Sequence, residues 1–365
     1  MSTTSVGVLS GTLVSQDNFT VTSSDPTDVF RFSLNQTRQI GLFLHDMTAD
    51  ADLYLYRDNN NNGLVDSSDP LLRQSTALGT TTDSIDYSAT SGNYLAQVWR
   101  YSSVPSITYD LDLSSNFDIG SLGSSVISRD NNSVSASDPA DLFELDFQGA
   151  RNLNTNLHNI SSGDDVDLYL YRDSNNNGIF DSNDAALTSA TVGGNGDDLI
   201  NYRTSSGGVT NYFVQARRYS GSGSATYNLD FSQTELTAPN NLLGVENQLG
   251  NLNGDITRSG AVSNSDMADI YAFQLSNYEG VNIRLDGMSA DADIRLIRDF
   301  NNDRIIQSNE ILRSSTNGGT IADVISNFND TGSFYLQVDR YDNATGTVPA
   351  TNYRVTFDHY NTTFV

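Results

Sequence analysis

A stretch of about twenty residues occurs three times in this chain, and it constrains the fold more than any other feature. The copies cover residues 50–69, 165–184 and 291–310. The first half of each copy alternates polar with apolar residues, as a half-buried strand does. The second half is crowded with Asp and Asn, which favour loops and turns. The repeat therefore predicts a β protein in which a strand runs three times into an oxygen-rich loop.

These loops, here named loop 1 (58–69), loop 2 (173–184) and loop 3 (299–310), have the spacing of an EF-hand-like calcium loop. Such a loop binds through side chains at positions 1, 3, 5, 9 and 12 and the carbonyl at position 7, because calcium takes six to eight oxygen ligands. The predicted ligands are Asp58, Asn60, Asn62, Leu64, Asp66, Asp69, Asp173, Asn175, Asn177, Ile179, Asp181, Asp184, Asp299, Asn301, Asp303, Ile305 and Glu310. The alternative is a set of Asp/Asn turns that hold no ion.

The third loop departs from this pattern at two positions. Loops 1 and 2 have a glycine at position 6, Gly63 and Gly178, where the chain turns sharply. Loop 3 has Arg304 there, and Gln307 replaces the acid at position 9. We therefore expect calcium as the ligand of all three loops, with the weakest binding at loop 3.

Composition supports a metal as the stabilising group. The net charge is −26, which disfavours binding to nucleic acid or to an anionic membrane and suits cations. Cysteine is absent and all 19 basic residues are arginine, so disulfides, thiol catalysis and lysine Schiff bases are excluded. No apolar run approaches the roughly 20 residues that span a bilayer. We expect an extracellular or cell-surface protein. The N-terminus lacks the pattern of a signal peptide, so either a leader is missing from this sequence or the protein leaves the cell without one, for example by type I secretion.

Further strands recur around the loops in a fixed order. A strand of alternating apolar residues follows each Asp-x-x-Asp corner, for example Phe30, Phe32 and Leu34 after the first. Each loop is followed by a strand with a Gln in it, Gln97 in the first copy, and by a closing strand that starts with Tyr. No segment has a helical period. We therefore predict an all-β chain of three tandem antiparallel β-sandwich domains, named unit 1 (1–115), unit 2 (116–235) and unit 3 (236–365).

The two joints between units differ in the sequence. The first lies near Asn116 and is short. The second, from Thr234 to Glu246, is longer and contains Pro239, so we expect more freedom of movement there.

With these landmarks in place, the units resemble the bacterial pre-peptidase C-terminal domain family. The matching motifs are the Asp-x-x-Asp corner, the Asp-x-Asp-Leu-Tyr-Leu strand (Asp50–Leu55), Gly92-x-Tyr94 and the closing Tyr-x-Leu strand. The Asn-rich loops are similar to those common in cyanobacterial surface proteins. The resemblance implies a jelly-roll-like β-sandwich, secretion and an accessory role.

The same resemblance implies a second type of metal site. Clostridial collagen-binding domains of this family bind calcium near an Asp-x-x-Asp corner. The corresponding candidates here are Asp25, Asp28, Asp138, Asp141, Asp266 and Asp269. A hydrogen-bonded turn before a strand is the alternative.

Catalysis is not indicated. His45 and His158 occupy equivalent positions, but the third copy has Asp286 there, so we interpret these residues as exposed strand positions. No Gly-x-Ser-x-Gly elbow lies between a strand and a helix. Carboxylate pairs such as Asp50 and Asp52 recur in every unit, which fits an ionic role better than three active sites.

Two functions remain open from the sequence. The first is a calcium-stabilised extracellular structural protein that forms or decorates a surface layer, filament or matrix, with self-association as the expected interaction. The second is a secreted adhesin or binding module for polysaccharide or fibrous protein, in which outward aromatics such as Trp99 would stack on sugars. For self-association, residues 5–14 are a β-prone segment that either adds to a neighbour's sheet or forms the first strand of unit 1.

Overall fold

The computed structural model describes residues 2–101, 103–123, 125–204, 209–341 and 349–362. All regular secondary structure in these residues is β, which confirms the all-β prediction, and no helix there could cross a membrane. The strands that build unit 1 are β1 (Ser2–Val8), β2 (Val14–Thr22), β3 (Thr27–Leu34), β4 (Arg38–His45), β5 (Ala51–Arg57), β6 (Leu71–Ser75), β7 (Asp83–Ala89), β8 (Gly92–Arg100) and β9 (Ser106–Ser121).

The later strands repeat this order. Those of unit 2 are β10 (Ile127–Val134), β11 (Ala140–Gln148), β12 (Asn152–His158), β13 (Asp165–Arg172), β14 (Ala185–Ala190), β15 (Asp198–Arg203), β16 (Val209–Ser220) and β17 (Ala225–Thr234). Those of unit 3 are β18 (Asn247–Asn251), β19 (Ile256–Val262), β20 (Ala268–Leu275), β21 (Glu279–Asp286), β22 (Ala292–Ile297), β23 (Ile311–Ser315), β24 (Asp323–Phe328), β25 (Gly332–Arg340) and β26 (Thr351–Asn361).

The strands pair in the same two patterns in each unit. One pattern, here named the loop sheet because its strands flank the calcium loop, has the order β1-β3-β8-β5-β6, then β9-β11-β16-β13-β14, then β18-β20-β25-β22-β23. The other, here named the closing sheet, has the order β2-β9-β4-β7, then β10-β17-β12-β15, then β19-β26-β21-β24. Strand β9 is long enough to belong to the closing sheet of unit 1 and the loop sheet of unit 2.

The prediction of purely antiparallel sheets is wrong at one pairing in each unit. Strand β1 runs parallel to β3, β9 runs parallel to β11, and β18 runs parallel to β20. The reason is the crossover. The strand between the two partners lies in the closing sheet, so the chain reverses twice before it returns to the loop sheet.

Each unit has a separate hydrophobic cluster that draws side chains from both of its sheets. In unit 1 the alternating residues of β3, including Phe30 and Phe32, pack against β4 and β9 residues such as Leu42 and Leu113. The equivalent clusters contain Phe143 in unit 2 and Tyr271 in unit 3. The period of two in the sequence therefore identified the buried faces correctly.

Neither joint is a free linker in the structure. The predicted boundary at 115/116 lies inside β9, where Asn116 still pairs with β4 and Phe117 already pairs with β11. The expectation of movement across 234–246 is also wrong. Leu242 and Leu243 are buried in a cluster with residues of both units, including Leu199, because two consecutive leucines provide the joint with its own apolar contact.

The N-terminal segment forms the first strand of its own unit. Residues Ser2–Val8 pair with β3 along its length, as the second of the two alternatives for residues 5–14 predicted. In this fold the segment completes the loop sheet of unit 1.

Candidate metal centres

Loop 1 begins directly after β5 and winds around the carboxylate of Asp58. The Asp58 side chain is 6% exposed, and its two oxygens accept hydrogen bonds from the backbone N of Asn62 at 3.2 Å and of Gly63 at 2.9 Å. Gly63 has a φ of 71°, in the left-handed region that glycine adopts without cost. The first carboxylate of the predicted site is thus fixed at the centre of the turn.

The remaining predicted side chains of loop 1 lie against one another. Asp66 accepts hydrogen bonds from the side-chain amides of Asn60 at 3.0 Å and Asn62 at 2.7 Å. Asp69 accepts from the backbone N of Asn59 at 2.9 Å and of Asp66 at 3.1 Å. Hydrogen bonds therefore connect positions 1, 3, 5, 9 and 12 within one loop. Among the described residues, however, Asp58, Asp66 and Asp69 do not form one of the groups of three acids whose ligand oxygens lie within 4.8 Å of one another.

Loop 2 repeats this arrangement closely. Asp173 accepts from the backbone N of Asn177 at 3.2 Å and of Gly178 at 2.8 Å. The amides of Asn175 and Asn177 donate to Asp181 at 2.9 and 2.7 Å. Asp184 accepts from the backbone N of Asp181 at 3.0 Å.

Loop 3 has the same backbone in spite of its different sequence. Arg304 has a φ of 60°, close to the 71° and 72° of Gly63 and Gly178. A non-glycine residue in this region costs of order 1 kcal/mol or more, so the surrounding contacts hold Arg304 there. Carboxylate oxygens of Asp299, Asp303 and Glu310 all lie within 4.8 Å of one another. The missing glycine, one reason to expect weak binding, has not changed the turn.

The acids of the loops differ in their electrostatic environment. Burial raises the pKa of Asp184 to about 7, and burial also raises the pKa of Asp173. The exposed Asp66 has its pKa lowered, chiefly by hydrogen bonds from Ser68 and then by those from Asn60 and Asn62. Buried carboxylates without a cation are costly, and a divalent ion would offset that cost.

The residues at loop positions 7 and 8 place loops 2 and 3 at the junctions between units. Ile179 is 2% exposed and packs closely against Gly41 of unit 1. The contact is so tight that a Cβ on Gly41 would lie only 2.7 Å from the Ile179 side chain. Phe180 packs near Leu13 of unit 1. The backbone N of Ser182 donates to Asp112 of unit 1 at 2.9 Å. Loop 2 is therefore a contact surface for the preceding unit as well as a candidate metal site.

Loop 3 makes the corresponding contacts with the second joint and unit 2. Ile305 forms an isolated bridge with Leu242, and the backbone N of Ile306 donates to Asn241 O at 2.8 Å. The guanidinium of Arg304 also donates to Asp197 of unit 2. In loop 1, by contrast, the position-7 residue Leu64 is 47% exposed.

The corner of unit 2 holds an ion pair. Asp141 lies 2.6 Å and Asp138 3.4 Å from the Arg38 guanidinium of unit 1, whose side chain is 1% exposed. Burial raises the pKa of Asp141, although Arg38 opposes that shift. A guanidinium already neutralises this corner, so we do not assign a metal to Asp138 and Asp141.

The corner of unit 3 has a third acid in place of a cation. Glu246 joins Asp266 and Asp269, with ligand oxygens within 4.8 Å of one another. Burial raises the pKa of Asp266 to about 7 and of Asp269 to about 6, and it raises that of Glu246 well above its usual value. Sequence reasoning missed Glu246 because it belongs to the predicted linker, and only the register of β18 brings it to the corner.

The corner of unit 1 is a hydrogen-bonded turn. Asp28 accepts from the Tyr109 hydroxyl at 2.7 Å and from the Ser2 hydroxyl. The backbone N of Asp25 donates to Thr22 Oγ1 at 3.0 Å. The closing tyrosine binds the second Asp in the other units as well, Tyr227 to Asp141 and Tyr353 to Asp269.

The histidines are less exposed than predicted. His158 is 7% exposed, and its Nε2 lies 3.0 Å from Asp230. His45 Nε2 lies 3.4 Å from Asp112, and hydrogen bonding to that carboxylate raises the pKa of His45. The prediction of exposed strand residues was wrong because a buried carboxylate on the neighbouring strand binds each ring. These pairs join two strands of a sheet.

The comparisons with known proteins give short and weak likenesses. No protein-family model and no curated protein matches the chain. Among solved structures, the pre-peptidase C-terminal domain of a collagenase from Bacillus anthracis is 16% identical, with 31% of this chain and 94% of that domain covered and a TM-score of 0.23. PliG from Salmonella Typhimurium, a periplasmic inhibitor of g-type lysozyme, is 17% identical, with 31% and 99% covered and a TM-score of 0.20.

Proposed function

We propose that this chain is a calcium-stabilised extracellular structural protein that forms or decorates a surface layer, filament or matrix. In this proposal each unit is a jelly-roll-like β-sandwich domain, and its two sheets enclose one hydrophobic cluster. The observation that carries the proposal is the position of the candidate calcium loops. Loops 2 and 3 gather acidic side chains and also form the contacts between consecutive units.

A cation at these loops would act on both stability and shape. The chain has a net charge of −26, and buried acids such as Asp184 repel their neighbours when ionised. Calcium neutralises clustered carboxylates and fixes the loop that carries them. Because loops 2 and 3 contact the preceding unit, calcium would also stiffen the array, which is a property that a load-bearing extracellular protein needs.

The corner of unit 3 is an additional candidate for calcium. Glu246, Asp266 and Asp269 form a partly buried group of three carboxylates, and the equivalent corner of unit 2 faces the positive charge of Arg38. A guanidinium at the equivalent place in unit 2 supports a cation at this corner. Asp25 and Asp28 lack such a third acid in the described residues.

The expected setting follows from charge and composition. A strongly acidic chain without cysteine suits calcium-rich surroundings outside the cell and disfavours nucleic acid or insertion into a membrane. Two of the three histidines, His45 and His158, lie against buried carboxylates inside the sheets, so the proposal assigns them no catalytic role.

The second candidate function is a secreted adhesin or binding module for polysaccharide or fibrous protein. Trp99 is 48% exposed on the outer face of β8, and its ring lies edge-on to Tyr54 with 6.4 Å between centroids. Exposed aromatic rings of this kind can stack on sugars. Retention of the chain on immobilised matrix polysaccharides, lost in Trp99→Ala, would favour this function over the structural one.

Thermal unfolding in calcium, magnesium and chelator tests the main proposal. Calcium at about 100 times its dissociation constant stabilises by about 2.7 kcal/mol per site. We therefore expect a melting temperature that rises with calcium, changes much less with magnesium and falls in chelator. Equal melting curves in all three conditions would contradict a structural role for calcium.

A further inference from the structure

The loop sheets of units 2 and 3 each use their outer surface to bind the preceding part of the chain. The loop sheet of unit 1 has an equivalent outer surface. A glutamine lies at the equivalent position of each loop sheet, in one row with an apolar residue beside it on the neighbouring strand. The pairs are Gln97 with Val29 in unit 1, Gln215 with Leu142 in unit 2, and Gln337 with Ile270 in unit 3. Gln215 donates to Gly11 O of unit 1 at 2.5 Å, and Gln337 donates to Asn240 O of the second joint at 3.1 Å. The row is thus a docking surface at both internal junctions.

In unit 1 the corresponding apolar residues around this row are exposed. Gln97 itself is 5% exposed, and it is not among the residues whose buried polar atoms lack a partner. Leu64, at loop position 7, is 47% exposed, whereas the equivalent Ile179 is 2% exposed at the first junction. Trp99, which is 48% exposed, lies next to Gln97 on the same face of β8. Exposed apolar side chains at a place that is buried at the internal junctions are typical of a site that binds another protein surface.

Unit 3 carries the complementary exposed residue on its closing sheet. At the second junction, Leu199 of β15 is 4% exposed and packs in the cluster that contains Ile306 of loop 3. The equivalent residue of unit 3 is Val324 of β24, which is 40% exposed. Its cross-strand neighbour Arg284 is also exposed and forms an ion pair with Asp286 at 2.8 Å.

We propose that the unit 1 surface formed by Leu64, Gln97 and Trp99 binds the closing sheet of unit 3 in a second copy of this chain. This interface continues the contacts between units 1 and 2 and between units 2 and 3. Two different surfaces take part, so the contact propagates head to tail and builds a filament rather than a closed dimer. The inference rests on the proposed structural function and names its partner and surfaces.

Two substitutions test the interface outside the predicted metal ligands. Trp99→Asp alters the unit 1 surface on β8, where Trp99 is 48% exposed and lies outside loop 1. Val324→Asp alters the opposite surface, in unit 3. Leu78→Asp is the matched control, because Leu78 is 79% exposed and lies outside both surfaces. Sedimentation velocity on the full chain in calcium, over a range of protein concentrations, measures assembly.

The wild type and Leu78→Asp should assemble with rising concentration, whereas Trp99→Asp and Val324→Asp should each weaken assembly at least about tenfold. An equimolar mixture of the two variants should stop at the dimer, because each retains one intact surface. Calorimetry should show unchanged calcium binding in Trp99→Asp, so a loss of assembly there is separate from a loss of metal.

Three results would overturn the inference. A wild-type chain that stays monomeric in calcium excludes the second copy as the partner. Variants that assemble like the wild type exclude these surfaces. Binding of a polysaccharide that Trp99→Asp abolishes, without any assembly of the wild type, assigns the unit 1 surface to a different ligand. A chain that binds no calcium but still assembles would refute the proposed role of calcium and leave the interface intact.

Discussion

Replacing Arg38 with Met should destabilise the junction between units 1 and 2. The Arg38 side chain is 1% exposed and lies 2.6 Å from Asp141 and 3.4 Å from Asp138, both in unit 2. Its guanidinium also lies over the ring of Phe117, 4.5 Å from the centroid. Methionine keeps much of the volume and removes the charge, so the two carboxylates are left in a buried site without a cation.

The magnitude follows from the burial of the pair. Removing one partner of a buried ion pair typically costs about 3–5 kcal/mol, because the other charge stays desolvated. For a cooperative unit of about 150–250 residues this corresponds to a fall of about 6–20 °C in melting temperature. Burial already raises the pKa of Asp141, so protonation relieves part of this cost in acid and the loss should be smaller at pH 5 than at pH 7.

Urea unfolding and calorimetry at both pH values measure this effect. Arg313→Met is the control, since Arg313 is exposed and bonds only to its neighbour's carbonyl. Adding Asp138→Asn and Asp141→Asn to the Arg38→Met chain removes the unpaired charges and should restore more than half of the lost stability. A loss below about 1 kcal/mol for Arg38→Met, or no recovery in the triple variant, would refute the ion-pair account of this corner.

Three further predictions concern the first junction, a buried acid and the loops. Gly11→Ala should loosen the first junction, because a Cβ there would lie 2.4 Å from Leu142 N. Gly254→Ala, at the equivalent position of unit 3, has open space around the added Cβ and should leave the junction unchanged. Hydrogen exchange of the unit 2 amides in the two variants measures the difference. Burial raises the pKa of Glu144 from 4.5 to about 8. The folded chain therefore favours the protonated carboxyl, and the stability gained from this proton is lost as the pH rises through that range. Glu144→Gln should therefore have a higher melting temperature than the wild type at pH 9 but not at pH 4. In the control Glu235→Gln, at an exposed position, the difference in melting temperature from the wild type should not change with pH. Chelator should speed tryptic cleavage at Arg57 and Arg172, which directly precede loops 1 and 2, and equal cleavage rates with and without calcium would count against ordered, ion-bound loops.

The sequence predicted the local features of the fold because they depend on neighbouring residues. Alternation identified the core-facing side chains of β3. In β8 it missed the opposite face, which is also buried at Leu95 and Gln97. The Asp/Asn spacing identified loops whose side chains bond to one another. Left-handed turns at Gly63 and Gly178 were also predictable. Arg304 shows the limit of such reasoning, since it adopts the conformation of a glycine with the support of tertiary contacts to Asp197 and Leu243.

Features that depend on contacts between units could not be predicted. The ion pair of Arg38 with Asp141 joins residues 103 positions apart, and no local pattern indicates it. The joint at 234–246 resembled a flexible linker in composition, but Leu242 and Leu243 bury it between two units. Glu246 reached a corner with Asp266 and Asp269 only through the parallel pairing of β18 with β20.

Calorimetric titration of calcium into the full chain tests the central claim most directly. The account predicts saturable binding at all three loops, and stepwise loss of one site with each of Asp58→Ala, Asp173→Ala and Asp299→Ala, since position 1 is a direct carboxylate ligand. Leu78→Asp should titrate like the wild type. A chain that takes up no calcium, or that binds it equally well when all three position-1 aspartates are alanine, would contradict the account.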